Sequence, residues 1–249
     1  MLGVQKVSLS VLDQSPVRSG GTAQEAVQES LLLAQAADRL GYTRYWVAEH
    51  HNMTGLASTA PEVLIGHIAA NTKGIRVGSG GVMLSHYSPL KVAESFNLLA
   101  TLYPGRIDLG VGRAPGSDAR TARALAPSGN PFDLQDFPEH LMNLYGFLSG
   151  DFPKEHRFHG IRAQPLGETI PDLWILGSSD VGAEYAAELG WNFCHAYFIN
   201  PHSARSSFDA YRKFYLRLGY IMKRILKIRS FEDIRRYIKG GVALVKAFI

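Results

Sequence analysis

The stretch LWILGSSDVGAEYAAELGWNFCHAYF, residues 173–198, shows the unit from which the fold is built. LWIL is a continuous apolar run, which is typical of a strand covered on both faces of its sheet. VGAEYAAELG predicts the helix that follows, and FCHAYF predicts a second buried strand. A strand, a helix and a strand in this order predict two parallel strands joined by a crossover helix.

The same alternation of strand and helix runs along most of the chain. A capping-box pattern at Thr22 and Glu25 marks the start of the first helix. Buried strands that alternate with helices predict an α/β protein with a parallel sheet, built as a (β/α) barrel or as an open doubly wound sheet. About six runs have the length and composition of strands, namely VSLSVL, YWVA, IRVGSGGVML, IDLGVG, LWIL and FCHAYF.

The C-terminal part of the chain departs from this pattern in rhythm and in charge. A complete (β/α)8 barrel needs eight strands and eight helices, and residues 216–249 are too few for two further units with their loops. Residues 1–211 hold 15 Lys and Arg against 20 Asp and Glu, whereas residues 212–249 hold 11 against two, giving net charges of −5 and +9. We predict an α/β domain of about six βα units over residues 1–215 and an atypical basic tail over residues 216–249.

Composition excludes several classes of protein. With 46% hydrophobic residues, the 249-residue chain can bury a substantial core. No apolar run reaches the roughly 18 residues that cross a bilayer, and the N-terminus does not resemble a signal peptide. Cys194 is the only cysteine, so we expect no internal disulfide and a cytoplasmic location. The main body gives no reason to expect nucleic-acid binding; a nucleic-acid-binding role for the basic tail is a distant alternative.

Two glycine-rich segments lie inside or at the end of predicted strands. Gly78-Ser-Gly80-Gly81 fails the dinucleotide-binding fingerprint because the third glycine would fall at Met83. Glycines inside a strand indicate a bulge, or a close approach by a ligand or by another backbone. Gly110-Val-Gly112-Arg113 ends a strand, where α/β proteins place their ligands. Arg113 therefore either binds a phosphate or carboxylate or is a solvated loop residue.

The segment LGSSD, Leu176 to Asp180, joins a predicted strand directly to a helix. Backbone N–H groups and two serine hydroxyls at a helix N-terminus can hold an anion. The alternative is an ordinary N-cap formed by Ser179 or Asp180.

The segment WVAEHHN, Trp46 to Asn52, contains adjacent histidines after another predicted strand. Neither an H-E-x-x-H motif nor a spaced Cys/His set is present, so no metal site is expected. If the strand continues through the pair, His50 and His51 point to opposite faces, and one of them at most lines a pocket. A structural role for both is the alternative.

Six ordered segments together resemble the bacterial luciferase-like flavin monooxygenases, most closely a branch of unassigned substrate. The resemblance covers about residues 6–212. The segments are LSVLDQSPV, GYTRYWVAEHHN, STAPEVLI, IRVGSGGVMLSHYSPLKVAE, LYPGRIDLGVGRAPG and WILGSSD.

This resemblance implies a (β/α)8 barrel, a homodimer, and FMN bound at the carboxyl ends of the strands. It implies that His50 lines the flavin pocket and acts in catalysis, with His51 in a supporting role. It also implies that Gly80 and Gly81 form a cis peptide beside the flavin ring.

The phosphate of the flavin is assigned by the same resemblance. Arg113 corresponds to an arginine that contacts this phosphate. Ser178 and Ser179 correspond to a strand-to-helix turn that also binds it, and Gly182 is a secondary candidate.

The implied reaction uses reduced FMN from a separate flavin reductase, with dioxygen as co-substrate, to oxidise a small organic molecule such as an aldehyde or ketone. Luciferase carries a reactive cysteine where this chain has Gly112, which argues against light emission. Family members usually continue with two more βα units, so we expect a truncated or frame-altered C-terminus. The alternatives are a deazaflavin-dependent hydride-transfer oxidoreductase on the same barrel and a non-catalytic flavin-binding remnant.

Overall fold

The computed structural model describes residues 7–114, 116–126 and 136–225. The strands are β1 (Ser10–Asp13), β2 (Arg44–Val47), β3 (Arg76–Ser79), β4 (Val82–Met83), β5 (Ile107–Gly112), β6 (Asp172–Gly177) and β7 (Asn192–His195). The helices are α1 (Ala23–Arg39), α2 (Pro61–Ala70), α3 (Pro89–Leu102), α4 (Ala119–Leu125), α5 (Phe137–Ser149), α6 (Asp180–Leu189) and α7 (Ala204–Ile225).

The strand order decides between the two architectures that the sequence left open. The strands pair in the order β1-β2-β3-β5-β6-β7, with the short β4 beside β5, and every pairing is parallel. A doubly wound sheet reverses its order at a switch point, whereas this order advances in one direction throughout. The fold is therefore of the (β/α)8 barrel type, and the described residues supply six consecutive strand positions, which confirms the predicted class.

Several local predictions are confirmed and others need correction. Thr22 and Glu25 form the expected capping box at the start of α1. The run IRVGSGGVML is two strands, not one, because Gly80 and Gly81 interrupt its pairing with β5. The run FCHAYF is shorter than expected, because the chain turns after His195 through a hydrogen bond from the Ile199 N–H to the Ala196 carbonyl.

Two helices differ from their predicted extent. The segment after β5 contains a helix, α4, that the sequence analysis did not predict; Asp118 caps it by accepting from the Arg120 and Thr121 N–H groups. Helix α7 continues through residues 215 and 216, where the basic tail was expected to begin. Residues 226–249 of that tail lie outside the described residues.

The outward faces of the strands form the core beneath the helices. Their side chains alternate with inward ones, and the outward set is almost fully buried. The most deeply buried outward side chains are Tyr45, Val47, Val77, Leu109, Val111 and Ile175.

In the part of the chain that the structure describes, no helix combines the length and the apolar character needed to span a membrane.

A buried carboxylate joins three of the strands near their amino ends. Asp108 on β5 has no solvent exposure and accepts hydrogen bonds from Arg44, Trp46 and Arg76. The nitrogen–oxygen distances are 3.0 Å, 2.9 Å and 2.8 Å, respectively. Arg76 also forms an ion pair with Asp172 at 2.9 Å, so β6 is included in the network. A buried charge shared in this way is stable only while all of its partners remain.

Replacing Asp108 by Asn is expected to lower the free energy of unfolding by about 3 kcal/mol, because two arginines then lose their buried counter-charge. Urea-induced unfolding measures this change. The control is Glu139→Gln, which breaks an ion pair with Arg157 whose side chains are 56% and 65% exposed. That control should cost about 0.5 kcal/mol or less. Equal losses in the two variants would contradict a central role for Asp108.

Candidate functional site

A cavity of about 380 Å³ lies at the carboxyl ends of the strands. This is the face of a (β/α) barrel where ligands bind, and the volume falls in the range of small-molecule sites. Gln14 follows β1, Ala48 follows β2 and Ala196 follows β7, so the rim is drawn from the whole described sheet.

All seven residues that the sequence analysis selected for a site line this one cavity. They come from four separate segments of the chain, and the parallel sheet brings them together because its strand ends share one edge. The structure thus groups these residues, while their individual roles remain predictions. The seven are His50, Gly80, Gly81, Arg113, Ser178, Ser179 and Gly182.

The segment that carries His50 is fixed by backbone hydrogen bonds. The Ala48 N–H donates to the Asp13 carbonyl at 2.8 Å, and the His50 N–H donates to the Ser58 carbonyl at 3.0 Å. The Ser58 hydroxyl in turn donates to the Ala48 carbonyl at 2.6 Å. The position of the histidine is therefore set before any ligand binds.

The His50 ring has an unused polar atom. Its Nδ1 is buried and has no hydrogen-bond partner in the protein. Burial lowers the pKa of His50 below its ordinary value, and the neighbouring Glu49 charge opposes this effect in part. A neutral imidazole with a free nitrogen beside a cavity can accept or return a proton near neutral pH.

His51 lies outside the cavity lining and contacts Glu49, with 2.8 Å between Nε2 and Oε1. As expected, only one of the two histidines lines the cavity, but the reason differs from the one that the sequence suggested. Strand β2 ends at Val47, so strand alternation does not orient the pair. The hydrogen bond to Glu49 turns His51 away instead.

The Gly80–Gly81 peptide is cis, as the resemblance implied. A side chain on Gly81 would place its Cβ 2.7 Å from the Gly110 carbonyl oxygen, and one on Gly80 would lie 3.2 Å from the Trp46 Cβ. Close packing, one of the readings left open by the sequence, therefore requires glycine at position 81, whereas at position 80 the Leu12 and Trp46 side chains would have to shift. Because both also line the cavity, they present bare backbone to it.

Arg113 and the start of α6 form a region suited to an anion. Arg113 is exposed at the cavity and joins none of the ion pairs formed among the described residues. Ser179 occupies the N-cap position of α6, but its hydroxyl makes no capping hydrogen bond. Asp180 accepts from Ser206 and Ser207 of α7 at 2.9 Å each, which holds its carboxylate there. The helix dipole favours a negative ligand at this end.

Gly182 reaches the cavity through its backbone. A Cβ built on it would point toward the sheet, 3.7 Å from the Gly177 Cα and 3.8 Å from Phe193, which are ordinary contacts. Packing around position 182 therefore allows a side chain there.

Other parts of the lining were not predicted from the sequence. Glu49 is 1% exposed and borders the cavity; an acid directly after a buried strand was the signal that could have revealed it. The apolar residues Met83, Phe137, Phe198 and Ile199 also face the cavity, although they come from β4, α5 and the loop after β7. Within the described residues, no group of three or more His, Cys, Asp or Glu side chains could hold a metal ion.

A barrel-type sheet with a mainly apolar cavity at its strand ends and polar groups around that cavity is typical of proteins that bind small molecules. Residues 7–243 match the luciferase-like monooxygenase family model. The chain belongs to this family, which confirms the resemblance. The match continues past residue 212, where the resemblance was expected to end.

Three known proteins illustrate the relationship. N-acetyl-S-alkylcysteine monooxygenase of Bacillus subtilis is 48% identical over 211 residues, which are 82% of this chain and 63% of that protein. The crystal structure of apo-MsnO8 is 47% identical with a TM-score of 0.77, covering 84% of this chain and 61% of that one. The oxygenating constituent of 3,6-diketocamphane monooxygenase from Pseudomonas putida, solved with FMN, shares the fold at 19% identity with a TM-score of 0.68, covering 84% and 62%. The chain spans about 62% of the length of the curated relatives that it matches.

Gly182→Ala is expected to leave stability unchanged or to raise it by about 0.5–1 kcal/mol, because alanine favours the helix and meets no clash. The comparison variant is Gly81→Ala, whose Cβ would lie 2.7 Å from a carbonyl oxygen; it should lose about 1–3 kcal/mol. Thermal unfolding of both variants measures the difference. A loss in Gly182→Ala as large as that in Gly81→Ala would show that α6 needs glycine for packing against β6.

Proposed function

We propose that the protein is a flavin-dependent monooxygenase that uses reduced FMN and dioxygen to oxidise a small organic substrate. The observation that carries the proposal is the arrangement around one cavity of a free histidine, bare glycine backbone and an anion-binding helix terminus. The helix terminus suits the phosphate of FMN, the glycine backbone suits its flat ring, and the histidine suits proton transfer. The three features come from separate segments of the chain.

The residues present fit FMN. Arg113 can donate its fork of N–H groups to a phosphate, and Ser178 and Ser179 at the start of α6 add hydroxyl and backbone donors. The flat surface at Gly80 and Gly81 suits an aromatic ring system because no side chain projects from it. Membership of the luciferase-like family and the FMN complex of a protein with the same fold support this assignment.

Reduced FMN, when bound, would supply the electrons that activate dioxygen. The chain's own contribution is to bind, to exclude water and to manage a proton. His50 would hold or return that proton at Nδ1, the nitrogen left without a protein partner. Met83 and Phe137 line the cavity with apolar surface, which keeps water away from the reacting atoms.

The substrate would be a small molecule with an apolar portion, such as an aldehyde, a ketone or a thioether. The apolar lining of the cavity supports this choice, and one relative is an N-acetyl-S-alkylcysteine monooxygenase. A separate flavin reductase belongs to the same proposal, since a protein of the same fold is the oxygenating constituent of a larger system. A homodimer is also proposed; Val63, Leu98 and Leu102 on α2 and α3 expose 70%, 50% and 59% of their surface and offer an apolar face for it.

Arg113→Ala should weaken FMN binding about 10- to 100-fold, the loss expected for hydrogen bonds to a charged group. Riboflavin has no phosphate, so its affinity should change little, and the preference of the wild type for FMN over riboflavin should largely disappear. Titration of flavin fluorescence measures both ligands.

The control for this experiment is Arg39→Ala, which removes an exposed arginine at the end of α1, away from the cavity. It should leave both affinities unchanged. Equal losses for FMN and riboflavin in Arg113→Ala would contradict a phosphate contact. Stronger binding of a deazaflavin than of FMN by the wild type would favour the hydride-transfer alternative.

His50→Gln should reduce substrate-dependent turnover about 10²- to 10⁴-fold, the usual contribution of a general acid or base. FMN affinity should change much less. Oxidised product formed with chemically reduced FMN and dioxygen measures turnover over a panel of aldehydes, ketones and N-acetyl-S-alkylcysteines, because reduced FMN consumes dioxygen even without a substrate.

His67→Gln is the matched control, because His67 is exposed on α2 and does not line the cavity. If the well-folded wild type binds FMN but forms no oxidised product from any member of the panel, the monooxygenase proposal fails and a flavin-binding role remains.

A further inference from the structure

Glu49 is a buried carboxylate that connects three segments around the cavity. Its Oε1 accepts hydrogen bonds from the Tyr87 hydroxyl at 2.7 Å and interacts with the His51 Nε2 at 2.8 Å. Its Oε2 accepts from the Met83 N–H at 3.1 Å. Both oxygens are therefore used, and only 1% of the residue is exposed.

Glu49 lies between two parts of the cavity lining, the His50 segment and the segment that follows Gly81. His50 is the next residue, and its backbone N–H is already fixed on Ser58. Met83 lies two residues after Gly81 and ends β4, so its N–H ties Glu49 to the segment that follows the Gly80–Gly81 peptide. One carboxylate thereby links the segment that carries His50 to the segment that carries Gly80 and Gly81.

We propose that Glu49 is a positioning residue, held by Tyr87 and His51, that couples His50 to the Gly80–Gly81 segment and stabilises the protonated form of His50. The proposal rests on the function proposed above, in which His50 handles a proton and the glycines contact the flavin. Glu49 itself acts through these neighbours.

The charged and titratable groups around His50 support this role. On its own segment these are Glu49 and His51, and across the cavity they are Arg113 after β5 and Tyr185 on α6. The Tyr87 hydroxyl and the His86 ring lie behind Glu49, where His86 contacts His51 edge to face. Among the described residues that line the cavity, Glu49 is the only carboxylate.

The direction of the electrostatic effect follows from these charges. Burial is the main cause that lowers the pKa of His50, the Glu49 charge raises it, and His51 lowers it. Removing the negative charge of Glu49 removes the effect that raises this pKa. The pKa of His50 is then expected to fall further.

The test uses Glu49→Gln, which removes the charge but keeps nearly the same volume. Histidine ring signals of the flavin-free protein are followed by NMR against pH, and the His50 signal is assigned by its loss in His50→Gln. The titration midpoint of His50 should shift to lower pH in Glu49→Gln. FMN affinity should fall about tenfold, because a single amide oxygen cannot satisfy the donors that two carboxylate oxygens satisfy.

Asp13→Asn is the matched control for the titration. Asp13 is also a buried carboxylate, 7% exposed, and accepts hydrogen bonds from Tyr45 and Ser15 on the far side of the sheet. This variant should lose stability without moving the His50 midpoint. An unchanged midpoint in folded Glu49→Gln, or an equal shift in Asp13→Asn, would overturn the proposal.

Tyr87→Phe tests the positioning part with a smaller change, should Glu49→Gln fail to fold. It removes the hydroxyl donor and keeps the carboxylate charge, so FMN affinity should fall while the His50 midpoint does not shift to lower pH. Tyr103→Phe, which removes a partly buried hydrogen bond to the Gly66 carbonyl, is its control and should leave FMN affinity unchanged. Equal FMN affinities in Tyr87→Phe and Tyr103→Phe would overturn the positioning role.

The failure of this inference is distinguishable from the failure of the proposed function. The NMR titration needs neither flavin nor substrate, so it reports on Glu49 and His50 alone. If the wild type did not bind FMN, the proposed function would fail, and the titration would still decide whether Glu49 stabilises protonated His50.

Discussion

The buried carboxylate of Asp108 is the constraint on which the sheet depends. Register places Trp46, Gly78 and Asp108 side by side on β2, β3 and β5. Gly78 has no side chain between its neighbours, and a Cβ there would overlap the Asp108 backbone. The Trp46 indole therefore reaches across β3 to donate to Asp108 at 2.9 Å. A slip of one residue would turn these groups to the other face and leave the carboxylate without donors.

The fixed register of the strands brings the loops at their carboxyl ends together around one candidate site. Because the strands are aligned from their amino ends, their carboxyl ends stop at related heights, and the loops after β2, β3, β5 and β6 meet at one cavity. Gly80 and Gly81 separate β3 from β4 at this edge: β3 pairs with β2 and β5, whereas β4 pairs only with β5. The geometry of the candidate site follows from strand alignment, and the loops do not have to define it alone.

The sequence predicted the parts of the structure that depend on local signals. Alternating apolar runs identified the strands, and the resemblance to the luciferase-like family selected the candidate site residues at their ends. Strand alternation alone could not choose between a barrel and a doubly wound sheet, because strand order is a long-range property, and only the family resemblance implied the barrel. The interruption between β3 and β4 depends on the Gly110 backbone, and the contacts of Glu49 depend on Tyr87, 38 residues away in the chain. No local pattern contains either contact.

The two buried carboxylates differ in the partners that they have at the two ends of the sheet. At the amino ends, Asp108 is paired with Arg44 and Arg76, and arginine keeps its charge at every physiological pH. At the carboxyl ends, Glu49 contacts His51 and the Tyr87 hydroxyl. Burial and the Glu49 charge raise the pKa of Tyr87, so its hydroxyl keeps its proton and remains a hydrogen-bond donor. The arginine pairs suit a framework because their interaction does not vary as pH changes. The Glu49 contacts suit the positioning role that we propose for it, because a donor that stays protonated holds the carboxylate in one place.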